Sequence, residues 1–169
     1  EFIKPVIGID EVGRGPLAGP VVSCAFIFFD IQINDKDLFF IDDSKKLSHK
    51  KKIIALKEIY NLKKKNKLQF SLGMANVEEI DKFNILEATK LSMRRAVKKL
   101  NLPPTQLIID GNIDLQLKNY PSKSIIKGDL KSYSIAAASI IAKIHRDRYM
   151  HFLSYNHPSY GWSSNAGYG

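Results

Sequence analysis

The chain has 169 residues, of which 44% are hydrophobic and 25% charged, and its 26 Lys and Arg against 17 Asp and Glu give a formal charge of +9. That composition suits one globular domain with a real core and excludes a disordered chain. The longest apolar stretch, Val21 to Phe29 broken by Ser23, is about half of the ~20 residues a membrane-spanning helix needs, and no leader-like segment opens the chain, so a soluble, cytoplasmic protein is expected.

In chain order, Val6 to Asp10 reads as a short strand ending in acid, followed by a Gly- and Pro-rich loop and a second strand over Pro20 to Phe29, together a hairpin with a wide turn. Cys24, the single cysteine, falls in the second strand and reads as a buried thiol, which excludes an internal disulfide or a cysteine-based zinc site. Ser48 is an N-cap signal for a helix with Ile53, Leu56 and Tyr60 at helical spacing, fading into Lys63 to Lys67. Leu68 to Ala75 predicts a third strand, Asn76 caps a short helix, and Asn84 caps a longer one to about Leu100, where Pro103 and Pro104 forbid more helix. Gln106 to Asp110 and Ser124 to Lys127 predict a fourth and a fifth strand. The last long helix runs from about Lys131 to Ser154, with a nearly uncharged first half that must be buried nearly all round, and His157 to Gly169 reads as an ordered loop. The order of elements predicts an α/β domain with a mixed five-stranded sheet flanked by helices.

The charge is concentrated. Lys45 to Lys67 contains ten lysines and one acid, Glu58, and so holds the whole excess of +9. Such a stripe attracts a polyanion, nucleic acid first among them, although a solvated helix face has the same composition.

Asp10 with Glu11, Asp110, and Asp129 each sit at the end of an apolar strand and beside or near a glycine, the place where α/β sheets gather their sites. On adjoining strands these carboxylates converge on one sheet edge and need a cation to offset their repulsion. Hard oxygen donors without a His or Cys cluster favour Mg²⁺ or Mn²⁺, and two such ions ~4 Å apart suit phosphodiester hydrolysis. Taken singly, each acid also fits a turn, Asp110-Gly111 especially. Adjacent strand residues such as Asp10 and Glu11 face opposite ways, so both reach one ion only where the strand distorts. Gly13, Gly15 and Ala18, with Asp35 or Asp37, match a dinucleotide-binding fingerprint by spacing, but a strand follows where that fingerprint needs a helix.

GIDEVGRGPLAGPVV at 8–22, DSKKLS at 43–48, IIDGN at 108–112, KGD at 127–129, SIAAASIIAKIHRDRYM at 134–150 and YGWSSNAGYG at 160–169 resemble the ribonuclease HII family, the bacterial type 2 ribonucleases H, in the right order over nearly the whole chain. The resemblance implies a ribonuclease H-like fold over 1–169 as one catalytic domain. It implies an endoribonuclease that cuts RNA paired with DNA and single ribonucleotides in duplex DNA, leaving a 3′-hydroxyl and a 5′-phosphate. The family's four catalytic, metal-binding carboxylates match Asp10, Glu11, Asp110 and Asp129. Its Gly-Arg-Gly loop, which surrounds the ribose 2′-hydroxyl, matches Gly13, Arg14 and Gly15. Tyr168 matches the tyrosine that stacks at the RNA–DNA junction, and Lys45 a phosphate contact.

One feature departs from the family: Asn165-Ala166 stands where His-Lys is usual, which removes a cation beside Tyr168. The family continues beyond the position of Gly169 into a further helix, which this sequence either does not include or the protein lacks. Asp147, mid-helix, reads as an ion-pair former, and His145, His151 and His157 as helix-surface and loop residues. The expected protein is a monomeric, Mg²⁺- or Mn²⁺-dependent endoribonuclease acting on RNA/DNA hybrids and ribonucleotide-containing DNA. Its rivals are a related nuclease with another substrate and a non-catalytic nucleic-acid-binding module built on the lysine stripe.

Overall fold

Apolar runs on either side of the Gly-rich loop form the expected hairpin: β1 (Ile7–Val12) pairs antiparallel with β2 (Val21–Phe28), from Ile7 opposite Ile27 to Val12 opposite Val22. The computed structural model describes residues 5–29, 41 and 48–169; Lys45, Asp35 and Asp37 lie outside them. β3 (Leu68–Ala75) adds antiparallel to β2, while β4 (Leu107–Asp110) and β5 (Ser122–Ile125) add parallel on the other side of β1. The resulting order is β3-β2-β1-β4-β5. Because the strand after the Gly-rich loop turns straight back, the loop does not open a phosphate-binding helix, and the dinucleotide reading fails on topology.

Helix α1 (His49–Lys64) starts where Ser48 Oγ accepts the Lys51 amide at 3.4 Å. Helix α2 (Val77–Leu100) begins with a capping box in which Asn76 and Glu79 bond each other's backbone N–H. At Asn84 the backbone leaves the helix (φ 67°, ψ 167°) and the side chain accepts the Leu86 and Glu87 amides, at 2.9 and 3.2 Å. The two helices expected on either side of this cap are therefore both present, joined across a kink. Helix α3 (Tyr133–Asn156) is the long apolar element.

The strand period of two divides the core between the faces. Cys24, Phe26 and Phe70 pack with α1 and with Ala137, Ile140, Ile141 and Ile144 of α3; Ile7, Ile9, Ala25 and Ile27 pack with Met93, Ala96, Val97 and Leu100 of α2. The small residues of SIAAAS let α3 lie directly on β1, where a Cβ on Gly8 would collide with the backbone of Ser134 and Ile135. This close approach sets the height of α3 over the sheet edge.

Three expectations need correction. β5 spans Ser122–Ile125 rather than 124–127, because its register with β4 ends at Asp110 opposite Ile125 and the chain then turns through Lys127 at φ 55°. The tail is helical in part: Pro158 opens a 3-10 turn, Pro158–Tyr160, which Gly161 ends at φ 62°, and α4 (Trp162–Asn165) follows. The lysine stripe is not simply a solvated helix face, since Lys63 lies over the Phe70 ring at 4.1 Å and Lys52 points to the site described next. No helix among the described residues is long and apolar enough to cross a membrane.

Candidate active site

The parallel register of β1 and β4 ends at Ile9 opposite Ile109. The next residues in line are Asp10 and Asp110, on strands ~4.8 Å apart. Asp10 is buried on the α3 face, held by the Ser139 side chain and by the Glu11 amide, which donates to Oδ1 at 2.7 Å. Asp110 Oδ1 accepts the Gly128 amide at 2.6 Å, so the 3-10 turn Gly128–Leu130 is fastened to the end of β4. Glu11 follows Asp10 in a strand that stays regular to Val12, and it reaches the same open cleft of about 400 Å³. That cleft is lined by Asp10, Glu11 and Asp110 together with Lys52, Ser139, Lys143 and Tyr168. Asp129, buried on the 3-10 turn, lines the neighbouring cavity with Ser132 and Ala136 instead.

The edge is electrostatically loaded. Burial, then the negative charges of Glu11 and Asp110, push the Asp10 carboxyl up from 3.8 to about 8, against the smaller opposing effect of the Ser139 hydrogen bond. Burial also raises Glu11, and Arg14 counters it in part from Nη1 at 3.4 Å. The Cys24 thiol beneath is pushed far up by burial, which makes it the inert core residue expected. Among the described residues, no three Asp, Glu, His or Cys side chains are drawn together closely enough to chelate an ion as they stand.

The Gly13-Arg14-Gly15 loop follows directly on Val12, which lines the cleft. Gly13 has φ 110°, and a Cβ there would strike the Pro20 carbonyl, so the tight turn requires glycine. A Cβ on Gly15 would stand 3.8 Å from the Tyr168 ring, which places the tyrosine against this loop. Tyr168 is carried by backbone bonds from the Leu17 and Ala18 amides to the Gly167 carbonyl, at 2.9 and 3.2 Å.

The residue that joins these two loops was not singled out from sequence. Arg146 is completely buried, and its guanidinium donates to the carbonyls of Pro20 (2.9 Å), Ala18 (2.8 Å) and Ala166 (2.8 Å). The signal available was an arginine within an otherwise apolar helix face. Ser139 and Lys143 carry no such signal, whereas Lys52 belongs to the lysine stripe noted in the sequence. Asp147 is the ion-pair former expected, with Lys143 at 2.9 Å as its partner. His151 is an exposed helix residue and His157 packs in the loop against Trp162, but His145 departs from its surface reading, since Nε2 is buried without a hydrogen bond and burial lowers its pKa.

The family model described as Ribonuclease HII matches residues 7–169. A ribonuclease HII of Wolbachia pipientis subsp. Culex pipiens is 50% identical over 164 residues, covering 97% of this chain and 79% of the relative. Among solved structures, the ribonuclease H2 of Pyrococcus horikoshii OT3 superposes with a TM-score of 0.75 at 24% identity, over 98% of this chain and 81% of that one. Bst-RNase HIII in complex with Mn²⁺ superposes with a TM-score of 0.70 at 23% identity, over 90% and 55%. These likenesses agree with the mixed sheet and its flanking helices as a ribonuclease H-like fold.

Proposed function

The chain belongs to the ribonuclease HII family and is an endoribonuclease; from that premise we propose that it hydrolyses the RNA strand of RNA/DNA hybrids and incises on the 5′ side of single ribonucleotides in duplex DNA, leaving a 3′-hydroxyl and a 5′-phosphate. The observation that carries this reading is the register that brings Asp10 and Asp110 side by side at the mouth of a cleft that Tyr168 also lines, with Gly15 of the Gly-Arg-Gly loop against the tyrosine ring.

A hard divalent cation suits this edge, because the donors are carboxylate oxygens and the proton that burial forces onto Asp10 is one a cation can replace. Asp10 and Asp110 would be the central ligands, with Glu11 and Asp129 completing two sites for Mg²⁺ or Mn²⁺. Such ions, when bound, activate water for attack on phosphorus and stabilise the leaving 3′-oxygen. The protein's own groups do the rest. Ser139 and the Glu11 amide orient Asp10, and the Gly128 amide orients Asp110. Only the 2′-hydroxyl distinguishes ribose from deoxyribose, and backbone groups of Gly13, Arg14 and Gly15 approach it without side chains in the way. Tyr168, with Lys143 Nζ 5.7 Å from its ring centre, supports the following sugar. Lys143, ion-paired with Asp147, lies in the cavity that Asn165 and Ala166 also line, where the family has His-Lys.

The test is cleavage of a labelled DNA duplex holding one ribonucleotide, with Mg²⁺ or Mn²⁺. Wild type should incise 5′ of the ribonucleotide, Asp129→Asn should lose the activity, and Tyr168→Ala should be weakened. A wild-type protein that binds the duplex yet stays inert with both metals would overturn the reading.

A further inference from the structure

The lysines of the first turn of α1 do nothing for the helix that carries them. Lys50, Lys51 and Lys52 follow one another with no acid in that turn, so they repel each other and oppose the helix macrodipole. Lys50 and Lys51 are exposed, and neither forms an ion pair among the described residues. Lys52 turns into the cleft, beside the three carboxylates and Lys143. Local choices that cost the fold without compensation mark function. The opposite end of α1 supplies a built-in comparison. β3 begins at Leu68, opposite Phe28, the end of β2 remote from the cleft. Lys64 and Lys65 are therefore exposed at the far edge of the sheet, about 21 Å along the helix from Lys50 and Lys51.

We propose that Lys50, Lys51 and Lys52 form a basic lip of the cleft that grips backbone phosphates of the bound duplex away from the cleaved bond, whereas the equally basic far end of α1 takes no part. The proposal rests on the nuclease reading and adds to it where the duplex lies. Contacts of this kind neutralise phosphates and release counterions, without reading sequence or ribose.

The experiment compares two double variants of equal net charge, Lys50→Gln/Lys51→Gln and Lys64→Gln/Lys65→Gln, binding a fluorescent all-DNA duplex of about 20 base pairs over a series of salt concentrations. The first pair should reduce the slope of log K against log salt by about 2, equivalent to roughly 60-fold weaker binding at 0.1 M salt that vanishes toward 1 M. The second pair should keep the wild-type slope. On a duplex with one ribonucleotide, the first pair should raise KM and leave kcat unchanged. Equal slopes for both pairs, or a wild-type slope for the first, would overturn the lip while cleavage still upheld the nuclease. Absence of duplex binding by wild type would overturn both.

Discussion

Replacing Arg146 by methionine isolates what ties the Gly-rich loop to the Tyr168 loop. The guanidinium is wholly buried and donates at 2.8 to 2.9 Å to three carbonyls, from residues 18, 20 and 166. A hydrogen bond to a charged group contributes about 1.5–3 kcal/mol net, and removing the donor also leaves buried acceptors unsatisfied. Three bonds sharing one side chain do not add fully, so Arg146→Met should cost about 3–5 kcal/mol, although methionine nearly fills the space. With a urea m-value of about 2 kcal/mol per molar, the unfolding midpoint should fall by roughly 2 M. Hydrogen exchange supplies the local reading. The Leu17 and Ala18 amides, bonded to the Gly167 carbonyl, should lose protection beyond what global destabilisation accounts for. Arg146→Lys should recover only part of the loss, because an ammonium lacks the planar fork that reaches three diverging carbonyls. A methionine variant within about 1 kcal/mol of wild type, with Leu17 and Ala18 still protected, would refute the tie.

Asp10→Asn should abolish cleavage and stabilise the cation-free protein. The buried carboxyl titrates near 8 rather than 3.8, so its protonated form favours folding, and stability present below pH 4 is lost progressively as pH rises to about 8. The loss is roughly 6 kcal/mol at most. Melting in EDTA from pH 5 to 9 should show a falling wild-type curve and a flatter Asp10→Asn curve; parallel curves would contradict the burial argument. Gly8→Ala should push α3 off β1, costing about 1–3 kcal/mol and moving Ser139 relative to Asp10. Its kcat should fall while KM holds, which steady-state kinetics would check.

Much of this was legible in the chain because the signals were local. Ser48, Asn76 and Asn84 announce their helices by hydrogen bonds that span only a few residues. The acids at strand ends could be named, and Asp10, Glu11 and Asp110 do share a cleft. Their relation to Asp129 could not be read, because it depends on how a turn folds back from β5. The partners of Arg146 were illegible for a sharper reason: its acceptors at Pro20 and Ala18 lie 126 and 128 residues away, and they are carbonyls, which every residue type carries. The helical turns in the tail were the opposite case, since Pro158 and Gly161 stated them and the Gly- and Ser-rich composition obscured them.

The neighbouring positions of Asp10 and Asp110 also prescribe an order of assembly. β1 gains its first partner across a short loop, but its second only when a segment a hundred residues later has been made. At roughly 5–20 residues per second, a nascent chain waits several seconds between completing β2 and completing β4. During that interval Ile7 and Ile9 form part of an open strand edge, which is a template for wrong pairing. The ten lysines from Lys45 to Lys67 are synthesised within the same interval, and like charge of that density opposes association of half-finished chains.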